Sequence, residues 1–354
     1  MGNAERFGVK VSMKEKIRSL NHRSNGNIEV LRCFLMFLIV LGHCATFTRI
    51  CSHDEARLIH TFQIFAVDAF VLITGWFGIR YSSSKIWRFL GLGMFSSVVV
   101  FLLSPFSQFG WTYNFSLGWF GNAYLGLLVL APILNAAEES LIKMDKGWLF
   151  KSWALYAVMM VVSWLPLSWF NIDVKIIGWE AHSMNQLMFM YWTGRVLSQC
   201  QWTKKIQVWK ILIASTMLMA ANFGWAIATG LTRQSAFWQS ILVHNKIYNN
   251  PIVIALSVGV FLIFIRIEFP AFLKNACTFL GPSMFSVYLI HEASSHLVSV
   301  SLYSRYLVFY RGTDLTCRVC SVALTACLVF SICVIIDLIR RFAGHLITRY
   351  ENKF

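Results

Sequence analysis

Ten apolar segments dominate the sequence and constrain its fold more than any other feature. Most are about 20 residues long, which lets an α-helix cross the hydrocarbon core of a bilayer, about 30 Å thick. They lie at residues 28–47, 59–79, 86–106, 118–136, 149–168, 184–199, 207–229, 250–267, 277–300 and 316–339. Short polar links join them. The sequence therefore predicts an all-α integral membrane protein with about ten transmembrane helices.

Composition agrees with a membrane protein and argues against a nucleic-acid binder. Hydrophobic residues make up 57% of the chain and charged residues 13%, whereas soluble domains carry about 25% charged residues. The net charge of +15 comes from Lys and Arg in alternate links, a pattern that needs no polyanionic partner. We divide the chain into a basic N-terminal tail, a transmembrane domain and a short C-terminal tail, at 1–27, 28–341 and 342–354.

The distribution of basic residues predicts the orientation. If the N-terminus is cytosolic, 22 of the 31 Lys and Arg residues fall on the cytosolic side and eight on the other. Because Lys and Arg are enriched in cytosolic links, we expect both termini in the cytosol, in a bacterial inner or plasma membrane. Arg32 then lies near the cytosolic boundary and His43 in the outer half of the bilayer.

Arg32 and His43 interrupt the first apolar segment and share one face of its helix. Eleven residues make about three turns plus 20°, which places the two side chains about 16 Å apart along the axis. Ionisable groups at membrane depth are rare and usually functional. This helix is therefore predicted to present a cation near one membrane surface and a base nearer the other.

Other polar residues occur in the second and ninth segments. Asp68 needs a partner at membrane depth, and we expect Arg32 or a histidine to supply it; a catalytic and a structural role stay equally open. In the ninth segment Tyr288 and Glu292 share a stripe, with His291 about 60° away. So dense a stripe predicts a cavity lining, although a lone histidine can also make a purely structural hydrogen bond.

Several further positions have a functional and a plainer interpretation. Lys85 and Arg88, one helical turn apart, could grip phosphate groups or simply belong to a solvated basic link. Trp119 is typical of an interfacial belt, whereas Asn122 needs a hydrogen-bond partner at its depth. The sequence predicts no metal site, because its one C-x-x-C pair lacks a second pair of ligands.

Several ordered motifs resemble the bacterial membrane family often called acyltransferase 3. The spacing of Arg32 and His43 is similar to the family signature in the first helix. VDAFVLITGWF in the second segment resembles its VDxFFxxSGF stretch, and SMFSVYLIH in the ninth resembles its S-x-x-x-YLxH stretch. WFGNAYLGLLVLAP and YWTGR resemble the branch that O-acetylates surface polysaccharides. The resemblance extends from the first segment to Arg341.

Two departures from the family pattern occur after and within the second segment. Lys85-x-x-Arg88 stands where the family has R-x-x-R, which keeps the charge but weakens bidentate recognition of phosphate. Thr74-Gly75 replaces the family's Ser-Gly, a mild change.

The resemblance implies transfer of an acyl group, usually acetyl, from cytosolic acyl-CoA to a hydroxyl of a surface polysaccharide or lipid-linked glycan. Acetyl-CoA is then a donor substrate, and no metal is involved. His43 is the expected base, because histidine is best suited to activate a hydroxyl near neutral pH. It could instead carry the acyl group covalently. Arg32, Asp68 and His291 complete the expected catalytic set.

Binding roles follow from the same resemblance. We expect Arg32, Lys85 and Arg88 to hold the donor from the cytosolic side. The residues expected to contact the acceptor are Trp119, Asn122, Tyr288 and Glu292.

Two other functions remain open from sequence. A transporter or flippase for a glycan or lipid precursor could use buried Arg, His and Asp as a proton relay, although the sequence lacks repeated halves. An inactive scaffold for glycan assembly would tolerate loss of His43. Membrane lipids are expected to surround the chain, and homo-oligomerisation stays open.

Overall fold

The computed structural model describes residues 4–111, 113–164, 183–200, 203, 205–231, 248–293, 296–308 and 314–351. This part of the chain is helical and contains no β-strand, as predicted. Its thirteen α-helices are α1 (Ala4–Phe47), α2 (His53–Gln63), α3 (Phe65–Phe77), α4 (Ser83–Leu103), α5 (Gly118–Met144), α6 (Lys146–Trp164), α7 (Met184–Gln199), α8 (Val208–Leu231), α9 (Pro251–Phe264), α10 (Ala271–Leu280), α11 (Met284–Tyr288), α12 (His296–Tyr306) and α13 (Leu315–Glu351).

Six helical stretches in the described residues are long and apolar enough to cross a membrane. They are Gly26–Phe47, His53–Phe77, Ser83–Phe106, Gly118–Met144, Val208–Ala228 and Leu315–Leu346. Two further apolar helices, Gly147–Val162 and Pro251–Phe264, are shorter. The chain is thus a multi-pass membrane protein, and the count of ten spans stays a prediction.

The predicted ninth segment is not one continuous helix. α10 ends at Leu280 and a 3-10 turn follows at Gly281–Ser283, where Pro282 lacks the amide hydrogen that a helix interior needs. α11 then leads into a π-helical turn, Leu289–Ala293. The segment therefore changes direction and pitch where the sequence suggested a uniform span.

Helix α1 begins at Ala4 and α13 extends to Glu351. Much of what the sequence suggested as two tails therefore continues the first and last helices. Residues 1–3 and 352–354 of those tails lie outside the described residues.

Local sequence accounts for several helix ends. Ser52 caps α2, accepting a hydrogen bond from the Glu55 amide while the Glu55 carboxylate accepts one from the Ser52 amide, a reciprocal capping box. α3 ends at Phe77 and is capped by Gly78, whose φ of 73° lies in the left-handed region that favours glycine. Asn250 caps α9, with Pro251 at its first position.

Helix α1 occupies the centre of the fold. It packs against α2, α3, α10 and α13, and Leu31, Leu35 and Val40 are fully buried along it. Its central position surrounds Arg32 and His43 with other helices.

Helices α3 and α7 make the most extensive helix–helix contact, through two glycines. A Cβ atom at Gly75 would collide with the backbone carbonyl oxygen of Tyr191, and one at Gly194 would lie 2.5 Å from the carbonyl oxygen of Leu72. The backbones therefore touch directly, as small residues permit in membrane helices.

Polar side chains anchor the link between α3 and α4 to α5 and α7. The amide of Ile79 donates to the Tyr191 hydroxyl at 3.1 Å, and its carbonyl accepts from Asn135 at 2.8 Å. Tyr191 donates to Asn135 at 2.6 Å. Nearby, Arg195 forms a two-point pair with Glu138 at 2.6 and 2.9 Å. These contacts fix the start of the basic link.

We predict that Gly75→Ala destabilises the protein by about 1–3 kcal/mol, because the added methyl group must push two backbones apart. Thermal unfolding of detergent-purified protein would measure the change. Gly91→Ala on α4 is the matched control, since a Cβ there meets nothing within 4 Å. Equal melting temperatures for both variants would contradict direct backbone contact.

Candidate active site

His43 of α1 and His291 of the π-helical turn meet near the end of α1. Nδ1 of His43 lies 3.0 Å from Nε2 of His291, and their ring centroids are 5.1 Å apart. His291 is buried and His43 half-buried. π-Helical turns are rare and frequently occur at functional sites. The sequence predicted both histidines as site residues, and the structure brings them together.

Hydrogen bonding defines which ring nitrogens of the two histidines carry a hydrogen. Nδ1 of His291 lies 2.6 Å from the carbonyl oxygen of Val287, which can only accept, so Nδ1 carries the hydrogen. In neutral His291, Nε2 is then the acceptor and receives the hydrogen from Nδ1 of His43. Neutral His43 therefore has its lone pair on Nε2, the nitrogen that can take up a proton.

Glu292 provides a negative charge beside the same pair. Its Oε2 atom lies 3.5 Å from Nδ1 of His43. A carboxylate at this distance favours the charged form of an imidazole that has just accepted a proton. Of the predicted acceptor-binding residues, Glu292 thus lies beside His43, the residue predicted to be the base.

Asp68 has a different partner from the one predicted. Its carboxylate accepts hydrogen bonds from Nε2 of Gln186 at 3.1 and 3.2 Å, and the same amide lies 3.0 Å from the carbonyl oxygen of Tyr248. Within the described residues neither Arg32 nor a histidine pairs with Asp68, which contradicts that expectation for this part of the chain. An amide from α7 satisfies this fully buried group instead. In the sequence, the feature that could have indicated Gln186 as a buried partner is its polar side chain within a weakly apolar segment.

Arg32 pairs within its own helix. Its guanidinium lies 2.6 Å from Oε1 of Glu29, one turn earlier. Residues three apart on a helix are neighbours, so this pairing could have been read from the sequence. A cavity of about 440 Å³ adjoins the pair and is lined also by Phe77, Thr278 and Pro282. Arg32 keeps about a third of its side chain exposed there.

The structure does not place Lys85 and Arg88 in the lining of the Arg32 cavity. Both are exposed at the start of α4. Lys85 donates to the carbonyl oxygen of Arg80 at 2.8 Å. The three basic residues predicted to hold the donor are therefore divided between the cavity at Arg32 and the exposed start of α4.

Aromatic side chains extend from the histidine pair towards α5. The Tyr288 ring lies 6.3 Å from His291 and 5.5 Å from Phe120, while Trp119 stacks on Tyr248 at 5.3 Å. The Tyr288 hydroxyl is buried close to the backbone of Phe120 and Gly121 and makes no hydrogen bond of good geometry among the described residues. A buried hydroxyl of this kind costs free energy unless a ligand or water satisfies it.

Asn122 is exposed on α5. It lies about 200° around the helix from Phe120, which contacts Tyr288, and about 60° from Trp119. Its role in binding the acceptor stays a prediction.

The described residues contain no group of three His, Cys, Asp or Glu side chains placed to hold a metal ion. What they do contain is an oriented pair of imidazoles, an adjacent carboxylate and a buried phenol. Such a set can remove a proton from a weakly acidic group and stabilise the charge that results.

We predict that Gln186→Leu lowers stability by about 1–3 kcal/mol, because it leaves the Asp68 carboxyl group buried without its donor. The double variant Gln186→Leu/Asp68→Leu should recover most of that loss, since an apolar pair replaces a polar one. Thermal unfolding measures both. Turnover of the double variant separates the two roles of Asp68: recovered stability with wild-type turnover means a structural role, and recovered stability without turnover means a catalytic one.

The chain matches a family model described as an acyltransferase domain over residues 25–338. No curated protein and no solved structure matches the chain. The family resemblance noted in the sequence is confirmed, while its polysaccharide-modifying branch stays a prediction. Because the matched region covers most of the chain and includes the apolar helices, the protein is a multi-pass membrane acyltransferase that belongs to acyltransferase family 3.

Proposed function

We propose that the protein transfers an acyl group, most simply acetyl, from cytosolic acyl-CoA to a hydroxyl group of a surface polysaccharide or lipid-linked glycan. The membrane is then a bacterial inner membrane, with both termini in the cytosol. The excess of Lys and Arg on the Arg32 side supports this orientation. The O-acetylating branch is supported by the WFGNAYLGLLVLAP stretch at the start of α5.

The observation that carries this proposal is the oriented contact between His43 and His291. A sugar hydroxyl is a poor nucleophile at neutral pH and needs a base within hydrogen-bond reach. The His291 hydrogen bond holds the ring of His43 and leaves the basic lone pair on Nε2. Glu292 then favours the imidazolium that forms.

In the proposed step the acceptor hydroxyl attacks the carbonyl carbon of the thioester, and its proton passes to Nε2 of His43. A C–O bond forms and the C–S bond breaks. The imidazolium of His43 then gives this proton to the departing thiolate, which returns His43 to its neutral state. The ring of Tyr288 lies 6.3 Å from that of His291. Its buried hydroxyl is a suitable donor to the negative oxygen of the tetrahedral intermediate.

Donor access is proposed from the Arg32 side. The cavity at Arg32 carries a cation that can attract the phosphates of CoA, and Lys85 and Arg88 provide exposed positive charge at the start of α4. About 16 Å of helix separates Arg32 from His43, a distance suited to the extended pantetheine arm. The nucleotide would stay near Arg32 while the thioester reaches His43.

We predict that His43→Ala lowers turnover at least about 100-fold, since the hydroxyl loses its base. Purified protein would receive acetyl-CoA and an acceptor glycan extract, and CoA thiol release and glycan acetylation would be followed. His53→Ala is the control, because that histidine has 74% of its side chain exposed. Turnover of His43→Ala within a few-fold of wild type would mean that His43 is structural.

Incubation with labelled acetyl-CoA in the absence of acceptor separates direct transfer from covalent catalysis. Direct transfer predicts no protein-bound label. Label bound stoichiometrically in wild type and absent from His43→Ala would replace the direct step with an acyl-histidine intermediate.

Arg32→Ala is expected to raise the KM for acetyl-CoA about tenfold, because it removes a charge-assisted contact to phosphate. The KM for S-acetyl-pantetheine, which lacks the nucleotide, should not change. Since Arg32 pairs with Glu29, Glu29→Ala/Arg32→Ala is measured alongside to avoid leaving an unpaired carboxylate. An equal rise in KM for both donors would remove Arg32 from phosphate binding.

A further inference from the structure

A polar cavity lies at the His43 end of α1, away from the Arg32 cavity. Its volume is about 690 Å³, within the range of pockets that enclose small ligands. Phe47 belongs to its lining, and the ring of Phe47 lies 5.7 Å from that of His43. His43 keeps 24% of its side chain exposed. The cavity therefore begins one helical turn from the proposed base, and the transfer step as described assigns no role to it.

Two arginines give this cavity a positive charge. Arg49 follows α1 and Arg305 lies near the end of α12, and both side chains are exposed. Neither forms an ion pair with another described residue; Arg305 lies over the ring of its neighbour Tyr306 instead. No acidic side chain of the described residues lines the cavity. An anion that enters from the aqueous side therefore meets two cations that these residues do not neutralise.

The backbone at Arg49 indicates that the arginine side chain has a role of its own. Among the described non-glycine residues, Arg49 alone has a positive φ, 56°, in the left-handed region that is costly for a residue with a Cβ. Thr48 fixes this helix end, because its amide and its hydroxyl both donate to the carbonyl oxygen of Cys44, at 3.1 and 2.6 Å. Glycine is the usual residue at such a position. An arginine that occupies it at a cost is typical of a functional site.

The other groups that line the cavity suit a saccharide. Hydroxyl and amide side chains can exchange hydrogen bonds with sugar hydroxyls, and aromatic rings can pack against the apolar face of a sugar ring. The backbone amide of Gln108 donates to the Ser301 hydroxyl at 3.3 Å, which joins the turn after α4 to α12 and fixes this wall. The polar and aromatic lining residues are Phe47, Thr48, Gln108, Phe109, Ser301 and Ser304.

We propose that this cavity binds the acceptor as an acidic saccharide, whose carboxylate or phosphate group is held by Arg49 and Arg305. Both anions match the planar fork of a guanidinium group. The hydroxyl that receives the acyl group, on the same sugar or on the next sugar of the chain, then reaches Nε2 of His43. This inference rests on the proposed function and adds a property that the proposed function leaves open, the negative charge of the acceptor.

Other ligands would use only part of this cavity. A neutral saccharide would bind the hydroxyl groups and the aromatic rings but leave two arginines without a counter-charge. A phospholipid headgroup would neutralise the arginines but would not need a recess lined with hydroxyl groups and rings, one helical turn from the base. An acidic saccharide uses all of these features.

The site can be tested without acyl transfer. The probes are trisaccharides of galacturonic, glucuronic and mannuronic acid, each compared with its methyl ester, in which the same carboxyl groups carry no charge. Glucose 6-phosphate, compared with glucose, tests a phosphate group. Calorimetry measures their binding to the detergent-purified full chain. We expect at least one acidic probe to bind about tenfold more tightly than its neutral counterpart, with an affinity that falls as salt is added.

Two variants remove the cations separately. Arg49→Gly should weaken binding of the acidic probe about tenfold, while the melting temperature stays equal or rises, because glycine adopts a φ of 56° without strain. Arg305→Ala should weaken binding to a similar extent. Arg80→Ala, which removes an exposed arginine from the link between α3 and α4, is the matched control and should bind the probe as wild type does.

Three results would overturn the proposal. The first is that no acidic probe binds more tightly than its neutral counterpart. The second is unchanged binding in Arg49→Gly and Arg305→Ala. The third is competition by phosphatidylglycerol with the same affinity as the acidic probe and the same loss in both variants, which would indicate a site for lipid headgroups.

These outcomes are separable from those for the proposed function. Binding of an acidic probe as expected, with no acyl transfer to any saccharide, would refute the function and leave the site. Acyl transfer to neutral saccharides as efficient as that to acidic ones, and unchanged in Arg49→Gly and Arg305→Ala, would refute the site alone.

Discussion

The structure depends on one constraint: an ionisable side chain within the membrane is costly to bury unless a partner inside the protein satisfies it. Arg32 finds Glu29 within a single helix. Asp68 finds an amide from a helix more than a hundred residues away in sequence, and His43 finds His291 across the fold. The site is therefore assembled from the same hydrogen bonds that hold the helices in register, and positioning and stability have one physical origin.

Much of this arrangement could be predicted from sequence, because membrane depth makes polar residues conspicuous. Hydropathy predicted the helices, and the spacing of Arg32 and His43 predicted a shared helical face. The polar stripe of the ninth segment predicted that His291 and Glu292 line a cavity, and both lie beside His43. These predictions needed only helical geometry and the cost of burying polar groups.

Partners across helices could not be predicted in the same way, since they depend on how helices cross. The sequence suggested an ion pair for Asp68, yet the glycine contact between α3 and α7 brings Gln186 to it. Similarly, Asn122 was conspicuous by its depth, but its exposure depends on how α5 packs and could not be predicted from the apolar pattern. The π-helical turn that carries His291 follows from packing and left no evident sign in the apolar pattern.

The glycine crossing of α3 and α7 also affects how the molecule can move. Two helices whose backbones touch, and which share a buried carboxyl–amide contact, behave as one rigid body, because sliding either would drive carbonyl groups into Cα atoms. Any opening and closing during a catalytic cycle must then fall to the surrounding helices. Such displacement would meet least resistance at α4, α12 and α13, because these helices line a cavity instead of packing backbone against backbone.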